Sequence, residues 1–352
     1  MRRVVPKSLG YRMPAEWSRH AATWLAWPHQ LSDWPGKFQS IPTVYAEVVR
    51  HLSRVERVNI LVRHKDDQRR ASRLLEETGV GLEQVDWHLI RTNRSWTRDS
   101  MPTFVTGPAG QALVDWRFSG WGRFENCRLD DAVGLEVAAA TGLKRFVPQC
   151  PGTGRRFVLE GGSIDVNGAG LLLTTEECLL SPVQARNPGV TRSQVEAVLC
   201  DYLGVEKVLW LAAGIKGDDT HGHVDDLARF VNGHTVLAVT EDDPSDANHA
   251  PLEENLQRLR RMNDLEGRRL DVVTLPLPQP VFFRGVRLPA SYANFYIANK
   301  TVLVPTWNDP KDRPALETLS RLFPGRTVIG IHCRDLVWGL GALHCITQQQ
   351  PG

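Results

Sequence analysis

No stretch of this chain stays apolar for the roughly 18 residues that a membrane span needs. The basic N-terminus MRRVVPKSLG runs into the polar residues 11–20 rather than into an apolar core, so neither a spanning helix nor a secretion leader is expected. The six cysteines, at 127, 150, 178, 200, 333 and 345, include no CxxC pair. That excludes a recognisable zinc cage or disulfide framework and points to a reducing cytoplasm. A net charge of only +2, with lysines and arginines dispersed, supplies no field for nucleic acid. No low-complexity segment, long linker or change of composition divides the 352 residues, so residues 1–352 are expected to form a single domain with ample core. The expected partner is a small ligand, with no metal and no cofactor, and a homodimer stays open.

What is present begins with tryptophan. Residues 11–36 carry four, at 17, 24, 27 and 34, among prolines and histidines. This predicts wrapped irregular structure. Beyond it the apolar period alternates between helix and strand. Helices are expected over 44–55, 66–78, 131–140, 191–203, 252–262 and 315–322. Strands are expected near 103 and over 58–62, 85–90, 112–117, 157–159, 163–166, 171–174, 207–211, 223–231, 235–239, 272–275, 294–298, 302–305 and 327–331. Thr191 with Gln194 three residues on is a capping box, and Gly204 ends that helix. The result is an α/β chain with a loose recurrence of β-β-α-β units.

Four stretches carry polar groups where a core strand would not want them. In GDDTHGHVDDLARF (217–230), a strand starting at Gly222 would put His223 and Asp225 on one face and Val224 on the other. In GLGALHCITQQQ (339–350), Cys345 follows a glycine-punctuated turn. SWTRDSM (95–101) sets Asp99 close behind Trp96, and VLEGG (158–162) ends an apolar run on Glu160. A cysteine and a distant histidine that meet only in the fold are the usual arrangement for thiol catalysis. Three carboxylates beside them suit a planar cation: they can pair with a guanidinium through parallel N–H···O bonds and keep it protonated, which makes its carbon attackable. The bound cation would in turn favour the Cys345 thiolate. His223 can then pass a proton to the departing nitrogen and later take one from water.

The chain resembles the agmatine deiminase family of the guanidine-modifying superfamily, which also holds arginine and bacterial peptidylarginine deiminases. The likeness runs through MPAEWSRHAATWLAWPH (13–29), WTRDSMPTF (96–104), FVLEGGSIDVNG (157–168), GHVDDLARF (222–230), SYANFYIANKTVLVPTW (291–307) and HCITQQQP (344–351). It implies a five-bladed, pseudo-fivefold α/β propeller of ββαβ units with a central site. It also implies Cys345 as nucleophile, His223 as acid and base, Asp99 and Asp225 as guanidinium carboxylates, and Glu160 as a partner of the histidine or the guanidinium. Trp96, Trp121 and Gly341 are implied as substrate contacts, and hydrolysis of agmatine to N-carbamoylputrescine and ammonia as the reaction.

Two segments depart from the family pattern. GLGALHC stands where GGGNIHC is usual, and DDTHGHVDD where DETDGHVDN or DETNGHVDN is usual. Leu340 and Ala342 thus replace a glycine and an asparagine, and His221 replaces an acid or its amide. Asp219, one methylene shorter than the usual glutamate, is the candidate partner for the substrate's distal amine. Three readings stay open beside agmatine: the same chemistry on free or peptidyl arginine, a zinc hydrolase built on the HGHVD segment, and a guanidine-binding protein without turnover.

Overall fold

The computed structural model of the chain describes residues 4–352; the arginines at 2 and 3 lie outside the described residues. The first strand, β1 (His20–Ala26), is followed by α1 (Ile41–Leu52), β2 (Arg57–Val62), α2 (Lys65–Glu77) and β3 (Val85–Leu89), and the three strands pair in parallel. A single-turn helix, α3 (Thr97–Ser100), leads to the hairpin β4 (Thr103–Gly107) and β5 (Gly110–Val114). Then α4 (Arg128–Thr141) crosses over to β6 (Lys144–Phe146), parallel to β5.

That order, an antiparallel pair, a helical crossover and a parallel strand, recurs. The third unit runs through β7 (Asp165–Val166), β8 (Leu171–Thr175), α5 (Glu176–Leu180), α6 (Arg192–Leu203) and β9 (Lys207–Leu211). The fourth runs through β10 (Ala228–Phe230), β11 (Thr235–Thr240), α7 (His249–Arg261) and β12 (Asp271–Pro276). After a small hairpin, β13 (Phe282–Phe283) and β14 (Val286–Arg287), the fifth runs through β15 (Tyr296–Ile297), β16 (Thr301–Thr306), α8 (Asp312–Leu322) and β17 (Thr327–His332). Finally β18 (Gln348–Pro351) pairs antiparallel with β1, so the first sheet is the same unit with one strand drawn from the far end of the chain.

A parallel partner needs a crossover, which is why a helix precedes the third strand each time. The middle strands, LLLTT, TVLAVT and TVLVPT, are buried almost throughout, and they read as continuous apolar runs because both faces are covered. The units meet in chain order: β18 lies against β4, Arg117 bridges Val158, β7 lies against β10, and α8 against β12. The last also touches the first, where α1 lies against β16 and β17. No helix among the described residues is long and apolar enough to cross a membrane.

Helix ends follow the sequence closely. Gln194 N donates to Thr191 Oγ1 at 3.4 Å and Thr191 N to Gln194 Oε1 at 2.9 Å, completing the capping box, while Gly204 and Gly142 close α6 and α4 with positive φ.

Three expectations are corrected. Residues 11–36 are not irregular throughout, because HAATWLA forms β1 in the middle of a sheet; six of its seven positions are buried, so no alternation betrays it. Residues 157–159 make only the Arg117–Val158 bridge. Residues 223–231 are not one strand: Val224–Asp226 is a 3-10 turn and pairing begins at Ala228. His223 and Asp225 are therefore brought together by a turn rather than by strand alternation.

Arg229, in β10, is wholly buried and ties several units together. Its Nε lies 3.0 Å from Asp165 Oδ1, its Nη1 donates to Phe295 O at 2.9 Å, and its Nη2 lies 3.0 Å from Glu16 Oε1. Replacing Arg229 by methionine strands two buried carboxylates, which is expected to cost about 3–5 kcal/mol. A thermal scan of Arg229→Met should show the midpoint fall by several degrees; an unchanged midpoint would show that the fold does not depend on this cation.

Candidate active site

Short turns, rather than long elements, present the reactive groups. Helix α3 packs on the 3-10 turn Gly161–Ser163, which packs on Val224–Asp226. Gly162 sits where they meet: its N–H donates to Asp99 Oδ1 at 2.9 Å. A Cβ there would stand 2.5 Å from His223 Nδ1 and 3.0–3.1 Å from Asp99 and Asp225 oxygens, so only glycine lets the three converge. The C-terminal turn adds the cysteine. Gly341 is confined in the same way, since a Cβ would lie 2.8 Å from the Trp96 ring and 3.2 Å from Cys345 Sγ.

Five of the expected residues come together. His223 Nδ1 faces Asp99 Oδ1 at 3.8 Å and its Nε2 faces Glu160 Oε2 at 3.7 Å. Asp225 Oδ2 lies 3.9 Å from Cys345 Sγ and 2.7 Å from His344 Nδ1. Asp225 Oδ1 is buried and has no hydrogen-bond partner among the described residues. Such an orphan acceptor costs about 1–3 kcal/mol unless a ligand fills it. Asn294 Nδ2 reaches Cys345 Sγ at 3.1 Å and Asp226 Oδ1 at 3.0 Å.

The charges are tuned by burial against neighbours. Burial, with Asp225, Asp226 and Asp99 nearby, pushes the Cys345 thiol well above its ordinary value. Burial raises Asp99 too, although His223 opposes it. For Asp225 burial is outweighed by the hydrogen bond and charge of His344, so its pKa falls. Burial alone would lower His223, but Asp99 carries it well above the usual histidine value. Burial and these carboxylates thus favour the neutral thiol of Cys345, and an arriving cation would favour its ionisation.

A cavity of about 400 Å³ leads from the surface to Cys345 and Asp99 between Trp96 and Trp121. Trp121 Nε1 donates to Asp99 Oδ2 at 2.9 Å, which fixes both the wall and the carboxylate. Further out lie Asp219 and Asp33. Asp219 stands 3.4 Å from Arg123 Nη1, and Asp33 is 2.5 Å from Arg94 Nη1. Burial raises each of these two carboxyls to about 6. Trp121, Leu340 and His221 all have positive φ, at 58°, 70° and 66°. The glycine and the acid or amide usual at the last two positions bear that conformation more cheaply, so both departures add local strain.

Two readings of the sequence change here. Glu160 does not offer itself freely to a substrate: Arg186 Nε lies 3.2 Å from both of its oxygens. Nor do His221, His223 and Asp225 converge on a common point as a zinc hydrolase would require, because the His221 ring turns to Ser181 Oγ at 3.1 Å and Glu177 at 3.6 Å. Among the described residues the one group with metal-ligand spacing is Glu160, Cys178 and His223. Sequence reasoning missed Glu16, Arg186, Asn294 and His344. Glu16, Asn294 and His344 are polar residues inside stretches that the sequence analysis quoted, which was the available signal; Arg186 sits in the polar loop 181–190, where nothing local marks it.

The sequence profile of Porphyromonas-type peptidyl-arginine deiminases matches residues 12–351. The agmatine deiminase of Ectopseudomonas mendocina is 34% identical over 99% of this chain and 97% of that protein. That of Pseudomonas syringae pv. tomato is 35% identical over 98% and 97%. Among solved structures, the agmatine deiminase of Enterococcus faecalis superposes with a TM-score of 0.90 at 32% identity, covering 100% of this chain and 98% of that one. The C. jejuni agmatine deiminase with substrate bound superposes with a TM-score of 0.86 at 29% identity, covering 97% and 96%.

The raised thiol can be tested directly. Alkylation of Cys345 by iodoacetamide, followed by peptide mass spectrometry in the absence of ligand, should keep accelerating well above the ordinary thiol value of about 8.5. A rate already at its plateau at neutral pH would contradict the neutral thiol.

Proposed function

The chain belongs to the Porphyromonas-type peptidyl-arginine deiminase family, and we propose that it hydrolyses agmatine to N-carbamoylputrescine and ammonia through a covalent intermediate on Cys345. The observation that carries this reading is the unpaired Asp225 Oδ1 at a buried centre where Cys345 Sγ stands 3.9 Å from Asp225 Oδ2. A guanidinium is the planar cation whose N–H groups complete Asp225 and Asp99 while presenting carbon to sulfur.

In this scheme the substrate enters with its guanidinium charged, and the added positive charge lowers the thiol pKa that burial and the acids had raised, so that the thiol proton is lost to solvent. The Cys345 thiolate forms a C–S bond to the guanidinium carbon, giving a tetrahedral adduct. His223, charged beside Asp99, transfers a proton to one nitrogen, the C–N bond breaks and ammonia leaves. The amidino-thioether that remains is planar again. His223, now neutral, takes a proton from water as its oxygen bonds to carbon. The C–S bond then breaks, the departing thiolate takes the hydroxyl proton of the adduct, and the neutral ureido product is released as the thiol is restored. Glu160 and Arg186 hold the histidine from behind, and no cofactor enters.

The substrate assignment rests on the outer pocket. The lining carries three carboxylates, Asp33, Asp99 and Asp219, against one guanidinium, Arg94. That excess suits a dication, whereas the α-carboxylate of free arginine would meet like charge. Asp219 is the group we assign to the distal ammonium, which would share it with Arg123. The five contiguous units, each touching the next and the last touching the first, support a single domain arranged as a pseudo-fivefold propeller around this site. A reducing cytoplasm would keep Cys345 free, as all six cysteines are.

Two measurements test this. Cys345→Ala should abolish ammonia release from agmatine while retaining substrate binding by calorimetry, and Cys333→Ala should keep its turnover; near-native release from Cys345→Ala would end the mechanism.

For the tail, Asp219→Asn should raise KM for agmatine by about 1–3 kcal/mol in binding while changing an uncharged-tail alkylguanidine much less. Because Asp33 and Asp219 are charged only above about 6, KM for agmatine in the unaltered protein should climb as pH falls below that value. Equal losses on both substrates would remove Asp219 from amine recognition.

A further inference from the structure

We propose that Glu160, Cys178 and His223 form a binding site for a soft divalent cation of the zinc class, and that its occupancy takes His223 out of the reaction. A carboxylate oxygen, a thiol sulfur and an imidazole nitrogen lie within 4.8 Å of one another, all three residues buried. These are the donor types that zinc and cadmium take, and a fourth position would be left for water. The second observation is the histidine itself. His223 Nε2 is buried with no hydrogen-bond partner among the described residues. That nitrogen faces Glu160 Oε2 at 3.7 Å, on the side of the ring away from Asp99.

The surroundings have the form of a ligated histidine. Nδ1 faces the Asp99 carboxylate, which orients the ring and leaves Nε2 free to bind, as carboxylates do behind metal-bound imidazoles. Glu160 already pairs with Arg186, yet a carboxylate has about four lone-pair positions and the guanidinium nitrogen lies 3.2 Å from each oxygen. Binding is balanced as M²⁺ exchanging for two protons, one from the Cys178 thiol and one from the charged His223 ring, with no change of oxidation state. Cys345 is not among the three ligands; Cys178 lies in the first turn of α5, where its backbone N–H donates to the capping Thr175 Oγ1 at 3.0 Å.

The binding half stands on these atoms alone; the inhibitory half rests on His223 acting as proposed above. Cadmium titration of the full chain, read by the ultraviolet thiolate-to-cadmium charge-transfer band, separates them. One ion per chain should bind, with the band lost in Cys178→Ser and kept in Cys345→Ser. Cys178→Ala serves the same arm if serine unfolds the chain. Zinc should inhibit ammonia release reversibly with chelator, and the half-inhibiting zinc concentration should rise at least about tenfold in Cys178→Ser. No band in the unaltered chain, or a band that follows Cys345 instead of Cys178, overturns the site. A band as expected with turnover indifferent to zinc overturns the inhibitory half and with it the assignment of His223, while the cation site stands.

Discussion

The C-terminal turn, α3 and β10 are tied together at the site by a buried charge network centred on Glu16. Its carboxylate lies 3.0 Å from Arg229, 3.3 Å from Arg98 and 2.8 Å from His344. Burial would raise the Glu16 pKa, but Arg229, His344 and Arg98 outweigh it and hold the group ionised. Through these contacts one residue near the N-terminus links α3, β10 and the C-terminal turn. The His344 ring then passes the link to Asp225, and Asp225 to Cys345. A buried network of this kind is costly unless complete, so its members fix one another's positions rather than adding independently.

The consequence is a site under electrostatic tension before substrate arrives. Asp225 has an oxygen without a partner among the described residues, burial and nearby acids push the Cys345 thiol up, and Asp99 raises His223. In the proposed reaction a guanidinium would relieve the first two at once, which would couple binding to activation of the nucleophile. The same arrangement leaves one histidine nitrogen without a partner, and that is the atom a soft cation would take. Both proposals, substrate binding at Asp225 and cation binding at His223, thus start from polar groups kept buried and incompletely paired.

The recurrence of antiparallel pair, crossover and parallel strand explains why the turns carry the chemistry. Middle strands covered on both faces have no room for charge, so ionisable side chains are pushed to the short connections where units meet. Asp99, Glu160, His223 and Cys345 all lie in or beside such connections. Glycines at 162 and 341 allow the backbones to approach closely enough for those side chains to touch, and Trp121 and Leu340, both at positive φ, stand in the pocket wall.

By itself the sequence determined the alternation of helix and strand and the capped ends of α6, and it singled out the five polar residues that the fold brings together, because apolar period, Thr191 with Gln194, and polar residues beside glycine are local signals. It could not show β1, whose residues are buried on both faces and so lack alternation, nor the 3-10 turn that replaces a strand at 224–226. It picked out Glu160 but not Arg186, which occupies both of its oxygens, and Asp225 but not His344, which holds it. Those pairings join residues 26 and 119 positions apart. Only tertiary structure decides them, because a buried charge is matched by whichever opposite group the packing brings within reach, and chain order carries no record of that distance.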